Sequence, residues 1–267
     1  MTLNIFFVDT FTSTPFKGNP ASVCYTDTFP ETATMQAVAA ELNLPVTSFI
    51  AKKKAHEYDI RYFTPITEIP ACGHGTLAAS RIAMLMDGDG KVNFHTIQKL
   101  HITATPHQGS ILMSYPRYEW KKSTVENETL LGLGVSAYRA VAFSAELETL
   151  FIELENGDAV RKAKPDYRRL EKSSQLIKEV VITSVSDDPQ YDYLLRSFCP
   201  WIGIDEDPVT GSVHSVLGAY WQQQFNKNTL KAYQASQRGG ELLVNAYDST
   251  IEICGKTVII MKGEMNC

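Results

Sequence analysis

The chain has 267 residues, and 25 lysines and arginines against 30 aspartates and glutamates give it a formal net charge of −5 at pH 7. A hydrophobic fraction of 44% with 21% charged residues excludes a mainly disordered chain. The mildly acidic balance makes nucleic acid a poor expectation as partner. No stretch approaches the roughly 18 to 20 apolar residues of a membrane helix, so we do not expect a membrane partner either.

The cysteines and the first residues of the chain indicate a reducing compartment. The five cysteines are scattered and lack the paired spacing of zinc sites or disulfide frameworks. The apolar run that ends at Asp9 has no basic segment before it, which argues against a signal peptide. We therefore expect a cytoplasmic protein without a bound metal.

Short segments of β character dominate the first half of the chain. An amphipathic helix is predicted over residues 32–42, with Thr32 as its N-cap. Residues 74–86 are small or apolar on nearly every face, which predicts a helix enclosed by other elements. Strands are predicted at residues 4–8, 22–25, 47–51, 58–63, 92–95, 100–105 and 109–113.

The second half of the chain repeats this combination of short strands and an enclosed helix. It follows a polar stretch at residues 117–129, which we interpret as a linker or domain edge. A second largely apolar helix is predicted over residues 214–225. Each half therefore combines many strands with one enclosed helix. The predicted strands are residues 137–142, 149–154, 180–184, 193–198, 230–233, 241–244, 250–253 and 257–261.

An internal repeat marks the beginnings of the two enclosed helices. With an offset of 138 residues, EIPACGH at 68–74 matches EDPVTGS at 206–212 at Glu, Pro and Gly. Both copies stand directly before a small-residue helix, which indicates a duplication. Gly73 and Gly211 allow close backbone approach, and the free amide groups and dipole of a helix beginning favour an anion such as a carboxylate. Two such beginnings that face each other are expected to hold a small carboxylated molecule.

The side chains of the two motifs point to proton transfer. The first motif contributes Cys72 and His74, and the second contributes Asp207, Thr210 and Ser212. Histidine, aspartate and cysteine can all move protons, and no redox or metal motif accompanies them. We therefore expect no cofactor.

These residues also have ordinary structural interpretations. Asp207 before a proline fits a helix N-cap or an Asx-turn, and Ser212 fits a first helical turn. His74 fits a capping or core residue, and Cys72 a buried thiol without function. His214 lies one turn into the second helix, where packing is the expected role.

Longer segments around the motifs resemble the phenazine-biosynthesis, PhzF-like family. The segments CGH and DPVTGSVH together are highly specific for it. The resemblance runs along the chain through VDTF at 8–11, PFKGNPA at 15–21, AELNL at 40–44, YFTP at 62–65, CGHGTLA at 72–78, EDPVTGSVH at 206–214 and YQASQRGG at 233–240.

The resemblance implies an α+β fold of the diaminopimelate-epimerase type. In this fold two pseudo-symmetric lobes, each a β-barrel around a central α-helix, enclose the active site in the cleft between them. Residues 1–115, completed by the extreme C-terminal strand, are expected to form the N-terminal lobe, and residues 116–267 the C-terminal lobe. Because family members are typically cofactor-free and often homodimers, the resemblance also implies a homodimer.

The best understood activity of the family is the isomerisation of trans-2,3-dihydro-3-hydroxyanthranilate by relocation of a proton. Carried over residue by residue, the resemblance implies catalytic roles for His74, Asp207 and Ser212. It implies substrate-binding roles for Asn19, Cys72, Gly73, Thr210 and Gly211.

One position departs from the family pattern. The proton-transferring glutamate of the family follows an Asn-Leu pair in the pattern NLSET, whereas this chain reads NLPVT at 43–47 and has Val46 there. Loss of a proton-transferring group typically lowers a rate by about 10²–10⁴-fold. Neither Glu41 nor Glu68 is an obvious substitute.

Three functions stay open at this point. The first is a cofactor-independent isomerase-like enzyme that moves a proton on a small carboxylated metabolite with His74 and Asp207. The second is a non-catalytic homologue that binds small carboxylates. The third is a Cys72-dependent dehydratase or epimerase, because proline racemases and related dehydratases of this fold use one cysteine at the place of Cys72 and another at the place of Thr210.

Overall fold

The structure is a computed structural model that describes residues 2–267. It divides into two compact units. Unit 1 comprises the chain up to Ser114 together with Ile253–Cys267, and unit 2 comprises Tyr115–Glu252. No helix within residues 2–267 is both long and apolar enough to cross a membrane.

Strands of unit 1 surround one of its two helices. Helix α2 packs against β1, β2, β3, β6 and the last strand of the chain, whose bounds are given below. The elements of unit 1 are β1 (Thr2–Thr10), β2 (Asn19–Thr26), α1 (Thr32–Leu42), β3 (Thr47–Lys54), β4 (Glu57–Phe63), β5 (Glu68–Ile69), α2 (Gly73–Asp87), β6 (Val92–Thr96), β7 (His101–His107) and β8 (Ser110–Pro116).

Unit 2 has one long helix and three short ones. Its elements are β9 (Lys121–Lys122), α3 (Asn127–Leu133), β10 (Ala140–Ser144), β11 (Thr149–Glu153), α4 (Gly157–Lys162), α5 (Tyr167–Lys172), β12 (Glu179–Val185), β13 (Tyr193–Cys199), β14 (Ile204–Asp207), α6 (His214–Phe225), β15 (Thr229–Gln234), β16 (Gly240–Ala246) and β17 (Thr250–Gly255). Strand β17 passes from unit 2 into unit 1, to which its residues from Ile253 onward belong. The last strand, β18 (Thr257–Asn266), lies in unit 1 and pairs antiparallel with β1.

The two units pair their strands in the same order. In unit 1, β1–β2 is antiparallel, β2–β3 parallel and β3–β4 antiparallel, and β4 then pairs with both β5 and β6. In unit 2, β10–β11 is antiparallel, β11–β12 parallel and β12–β13 antiparallel, and β13 pairs with both β14 and β15. The shared order confirms the duplication and the pseudo-symmetry expected from the repeat.

Both long helices are enclosed, as their composition predicts. The consecutive residues from Gly75 to Ser80 are buried in α2, and those from His214 to Trp221 are buried in α6. Since one helical turn has 3.6 residues, such runs bury every face of the helix. The bounds of α1 and α6 are those predicted, and α2 is one residue longer at each end.

The sequence interpretation is wrong at the start of α1 and misses the three short α-helices of unit 2. Thr32 is the first helical residue and not the N-cap, and its hydroxyl accepts a hydrogen bond from Arg61 at 3.0 Å. The stretch interpreted as a linker contains β9 and the start of α3. Helices α4 and α5 have only six residues each, too few for a clear hydrophobic period, and are fixed at their N-caps by Asn156 and Asp166.

Candidate active site

In unit 1 the first motif forms the beginning of α2. Cys72 occupies the N-cap position in extended conformation, and its carbonyl oxygen accepts hydrogen bonds from the Thr76 amide at 2.9 Å and the Thr76 hydroxyl at 2.8 Å. The amides of Gly73, His74 and Gly75 precede this first intrahelical hydrogen bond. The helix dipole and these amides make this helix beginning suitable for binding an anion.

His74 is the second residue of α2, and its ring is held beside the Cys72 thiol. Its Nδ1 atom lies 3.3 Å from the Cys72 Sγ atom, while its Nε2 atom is buried without a hydrogen-bond partner. Burial lowers the pKa of His74 to about 4. The imidazole is therefore neutral at pH 7 and able to accept a proton.

We expect the free energy of unfolding to fall as the pH drops from about 6.5 towards 4. An unfolded histidine binds a proton near pH 6.5, whereas burial lowers the pKa of His74 to about 4 and that of His214 to about 3. At these two histidines the unfolded state therefore binds more protons in this interval, which outweighs the opposite contribution of the single carboxyl group of Glu179, whose pKa is raised in the folded state, so acid destabilises the folded chain.

Urea unfolding at pH 7.0, 5.5 and 4.5 measures this dependence. His214→Gln removes one of the two groups, so the variant is expected to lose less stability on acidification than the wild-type protein. Equal slopes for both proteins would contradict the assignment.

Val46 packs beside the first turn of α2. Its side chain is fully buried, and a Cβ atom at Gly75 would lie only 3.1 Å from the Val46 Cγ1 atom and 2.8 Å from the Ser48 hydroxyl. The position where the family pattern has glutamate is thus next to the helical turn that carries His74. It offers no polar atom for proton transfer.

Asn19, the remaining predicted binding residue of unit 1, is buried at the start of β2. Its carbonyl oxygen accepts a hydrogen bond from the Thr10 hydroxyl at 2.9 Å. Gly18 before it has φ +67°, and a Cβ atom there would lie 2.0 Å from the Thr10 carbonyl oxygen, so only glycine fits this turn.

In unit 2 the second motif forms a turn before α6. Asp207 is the last residue of β14, whereas α6 begins at His214, so the N-cap interpretation of Asp207 is wrong. Gly211 and Ser212 belong to a tight turn, in which the His214 amide donates to the Gly211 carbonyl at 3.1 Å and the Ser215 amide donates to the Ser212 carbonyl at 3.0 Å. The amides from residue 211 to residue 213 precede these bonds, as in a second anion site.

The carboxylate of Asp207 is tied to the turn that follows it. The Thr210 hydroxyl donates a hydrogen bond to the Asp207 Oδ2 atom at 2.5 Å. The Gln234 side chain accepts from the Thr210 amide at 2.9 Å and donates to the Asp207 carbonyl at 2.7 Å. The Ser236 hydroxyl donates to the Pro208 carbonyl at 2.6 Å. The structure thus holds Asp207 and Thr210, two residues of the second motif, in direct contact.

Gln234 and Ser236 were missed as site residues by the sequence reasoning. Both lie in the segment YQASQRGG, which the family resemblance includes. A fully buried glutamine at the end of a strand signals a polar partner, because a buried amide needs hydrogen bonds. Their side chains position the turn that carries Asp207.

Glu179 is a second carboxylate near Asp207 that sequence reasoning missed. It begins β12, and it accepts hydrogen bonds from the Ser197 hydroxyl and from the Thr149 hydroxyl, the latter at 3.2 Å. Burial raises the pKa of Glu179 to about 7, and the nearby charge of Asp207 acts in the same direction. A carboxyl group in this range can hold or release a proton at neutral pH.

The glutamates of the repeat each bind an arginine. Arg61 donates two hydrogen bonds to Glu68 at 2.8 and 2.7 Å, and Arg196 donates two to Glu206 at 2.7 and 2.8 Å. These bidentate pairs join β4 to β5 and β13 to β14. The matching glutamates therefore shape the approach to each helix and are not groups that transfer protons.

The buried His214 has the packing role predicted for it. Its Nδ1 atom lies 2.6 Å from the Tyr193 hydroxyl, within α6 and its surrounding strands. Within residues 2–267, no cluster of three His, Cys, Asp or Glu side chains is arranged to hold a metal ion.

Thiol alkylation of the native protein is expected to label Cys267 fastest and Cys72 next. Cys267 is exposed and Cys72 half-buried, whereas Cys24, Cys199 and Cys254 are buried. Burial also raises the pKa of the Cys24 and Cys199 thiols, which disfavours the reactive thiolate. Peptide mass spectrometry after iodoacetamide treatment measures the order. Early labelling of Cys24 or Cys199 would contradict it.

The amino-acid sequence matches one family model and is similar to curated proteins over nearly its whole length. The family model described as "Phenazine biosynthesis-like protein" matches residues 8–263. An uncharacterized isomerase of Halalkalibacterium halodurans is 35% identical over 269 residues, which is 99% of each chain.

Solved structures show the same relation. The crystal structure of a phenazine biosynthesis protein of the PhzF family from Enterococcus faecalis covers 100% of both chains, with 31% identity and a TM-score of 0.92. A predicted epimerase from Pseudomonas aeruginosa, 18% identical with a TM-score of 0.72 over 99% of both chains, shares the fold. The α+β fold of the epimerase type is thereby confirmed.

Proposed function

Since the chain belongs to the phenazine biosynthesis-like family, we propose that it is a cofactor-independent isomerase that moves a proton on a small carboxylated molecule. The observation that carries the proposal is the neutral imidazole of His74, whose Nε2 atom is buried without a partner in the first turn of α2. His74 and Asp207 are its proton-transferring groups.

The chemistry needs nothing beyond these side chains and the helix beginnings. Backbone amides that precede the first hydrogen bond of a long helix bind the substrate carboxylate. A basic side chain removes a proton from one carbon of the substrate, the electron pair moves into the conjugated system, and a proton returns to another carbon. Ser212 and Thr210 supply hydroxyl groups beside this path.

A proton-exchange assay in D₂O tests the proposal. The wild-type protein is incubated with a panel of small carboxylates, which includes trans-2,3-dihydro-3-hydroxyanthranilate and several amino acids, and deuterium incorporation is followed by NMR. We expect exchange or isomerisation of at least one compound, and a large loss in His74→Gln. The matched control is His101→Gln, since His101 is exposed on β7. Equal activity in all three proteins would contradict the role of His74.

A cysteine mechanism is the second candidate, favoured by the 3.3 Å distance between the Cys72 Sγ atom and the His74 Nδ1 atom. In it the Cys72 thiolate removes the proton, with His74 as its partner. The variant Cys72→Ser separates the two mechanisms in the same assay. Retained exchange supports His74 and Asp207, whereas abolished exchange with intact folding supports Cys72.

A binding protein without activity is the third candidate, favoured by the buried valine at position 46. In that case the wild-type protein binds carboxylates, as measured by calorimetry, but catalyses no exchange. Val46→Glu would then gain activity.

The homodimer stays a prediction, and sedimentation equilibrium tests it against the monomer mass of 29.8 kDa.

A further inference from the structure

The duplicated frame identifies which residue of unit 2 corresponds to Val46. Arg61 and Arg196 anchor the comparison, because each binds the glutamate of its repeat and lies over the ring of the phenylalanine two residues later. The distances from guanidinium carbon to ring centre are 5.2 Å at Phe63 and 4.9 Å at Phe198. The segments 61–63 and 196–198 are therefore equivalent.

Strand register then extends the equivalence to the neighbouring strand. Phe63 pairs with Thr47 in the β3–β4 ladder, and Phe198 pairs with Val180 in the β12–β13 ladder. The residue before each partner is Val46 in unit 1 and Glu179 in unit 2. Unit 2 thus carries a glutamate at the position where unit 1 has lost one.

The pairing of β4 with β5 and of β13 with β14 identifies a second acidic position in unit 2. The residue between arginine and phenylalanine pairs with Ile69 in unit 1 and with Asp207 in unit 2. Both equivalent positions are apolar in unit 1, at Val46 and Ile69, and both are acidic in unit 2. Unit 2 alone therefore has a carboxylate at both of these positions, at Glu179 and Asp207.

Ser197 lies between the two carboxylates of unit 2, on the strand that separates β12 from β14. It stands opposite Val181, and Glu179 lies two residues before Val181 on the same face of β12. Its hydroxyl donates to the Glu179 carboxyl group. On its other side Ser197 pairs directly with Asp207, and directly paired residues have Cβ atoms about 4.5–5.5 Å apart.

The other titratable groups near Glu179 and Asp207 neither take up nor release the proton of this pair. The Cys199 thiol is buried, and burial together with the charges of Glu179, Asp207 and Asp205 raises its pKa, so it stays protonated. Arg196 lies on the opposite face of β13 from Ser197 and is bound by Glu206.

We propose that Glu179 and Asp207, which lie on either side of Ser197, share one proton as a carboxylate pair, in which Asp207 is the ionised base and Glu179 holds the proton, and that this pair takes the place of the glutamate missing at Val46. Two carboxylates close together cannot both ionise easily, so one remains protonated. Glu179 acts through Asp207 and is a positioning residue.

The proposal rests on the proposed function and adds a route for the proton. Asp207 takes a proton from a substrate carbon while the electron pair stays in the substrate. The pair then holds two protons until one is returned to another carbon, so no oxidant or further reactant is needed.

Carboxyl NMR titration tests the pair without any substrate. The protein is labelled with ¹³C at the side-chain carboxyl groups of glutamate and aspartate. We expect one glutamate signal that titrates near pH 7, is absent in Glu179→Gln, and titrates at lower pH in Asp207→Asn because the neighbouring charge is gone. The proposal would be overturned if the Asp207→Asn substitution left the titration pH of the glutamate signal unchanged. It would also be overturned if no glutamate titrated above pH 6.

The exchange assay supplies the second readout. Glu179→Gln is expected to lose about 10²–10⁴-fold in rate and to lose the pH dependence near 7. The matched control is Glu153→Gln, since Glu153 ends β11 of the same unit and accepts from the Tyr220 hydroxyl. Wild-type rates in Glu179→Gln would overturn the proposal. If the wild-type protein shows no exchange, the proposed function fails, and the titration still decides whether the pair exists.

Discussion

Replacement of Asp207 by asparagine is expected to lower the rate of proton exchange by about 10²–10⁴-fold. Asparagine has nearly the same shape and can still accept the hydrogen bond that Thr210 donates at 2.5 Å, but it cannot take up a proton. The deuterium assay in D₂O measures the rate, and circular dichroism establishes that the variant is folded.

The matched control for Asp207 is Asp205→Asn. Asp205 lies two residues earlier on β14 and is exposed. Removal of its charge is expected to leave the exchange rate within about twofold, because an exposed charge is screened by solvent. Equal losses in both variants would mean a general effect of negative charge on this strand and would contradict a specific role for Asp207.

Replacement of Glu206 by glutamine is expected to lower the free energy of unfolding by about 3–5 kcal/mol, the range for breaking a buried ion pair. The variant leaves the Arg196 guanidinium, which is only 9% exposed, without its counter-charge. Arg196 also donates to the Ala163 carbonyl at 2.7 Å and cannot leave without breaking that bond. Urea denaturation of both proteins measures the difference.

Glu128→Gln is the matched control for that stability measurement. Glu128 also accepts two hydrogen bonds from one arginine, Arg169, at 2.9 and 3.2 Å, but the side chains of this pair are 58% and 42% exposed. Exposed pairs add little to stability, so we expect no measurable shift of its denaturation midpoint. Similar shifts in both variants would show that burial does not set the strength of the Arg196–Glu206 pair.

The two units share the same strand order and enclosed helix but have different side chains near the beginning of that helix. Both retain the arginine–glutamate pair, the proline and glycine of the motif and an enclosed helix. The groups near the helix beginning differ in kind. Unit 1 has a thiol and an imidazole with apolar neighbours, and unit 2 has two hydroxyls and two carboxylates: Cys72, His74, Val46 and Ile69 in the first, and Thr210, Ser212, Glu179 and Asp207 in the second.

Local sequence predicts the long elements of this fold well. Runs of small and apolar residues predicted α2 and α6 because an enclosed helix must be apolar on all faces. The short helices α4 and α5 escaped prediction, since six residues span less than two turns and their stability comes from caps and tertiary packing. Helix α5 packs against α3, a contact between residues about 40 apart in the chain.

The motifs of the site were visible in the sequence, but Glu179 was not. A single offset of 138 residues aligns Glu68 with Glu206, whereas Arg61 and Arg196 differ by 135, and Val46 and Glu179 by 133. Unit 2 has two more residues than unit 1 before the arginine and three more between the arginine and the glutamate. No single offset therefore aligns both the motifs and the pair of Val46 and Glu179.

The amino-acid sequence is sufficient to predict the family, the duplication, the enclosed helices and the reactive side chains of the two motifs. These depend on residues close together in the chain, where helix periodicity and turn chemistry act directly. The folded structure is needed to show which residues meet across strands, such as Glu179 with Ser197 and Gln234 with Thr210. Strand register sets those contacts, and register depends on hydrogen bonds between segments far apart in sequence.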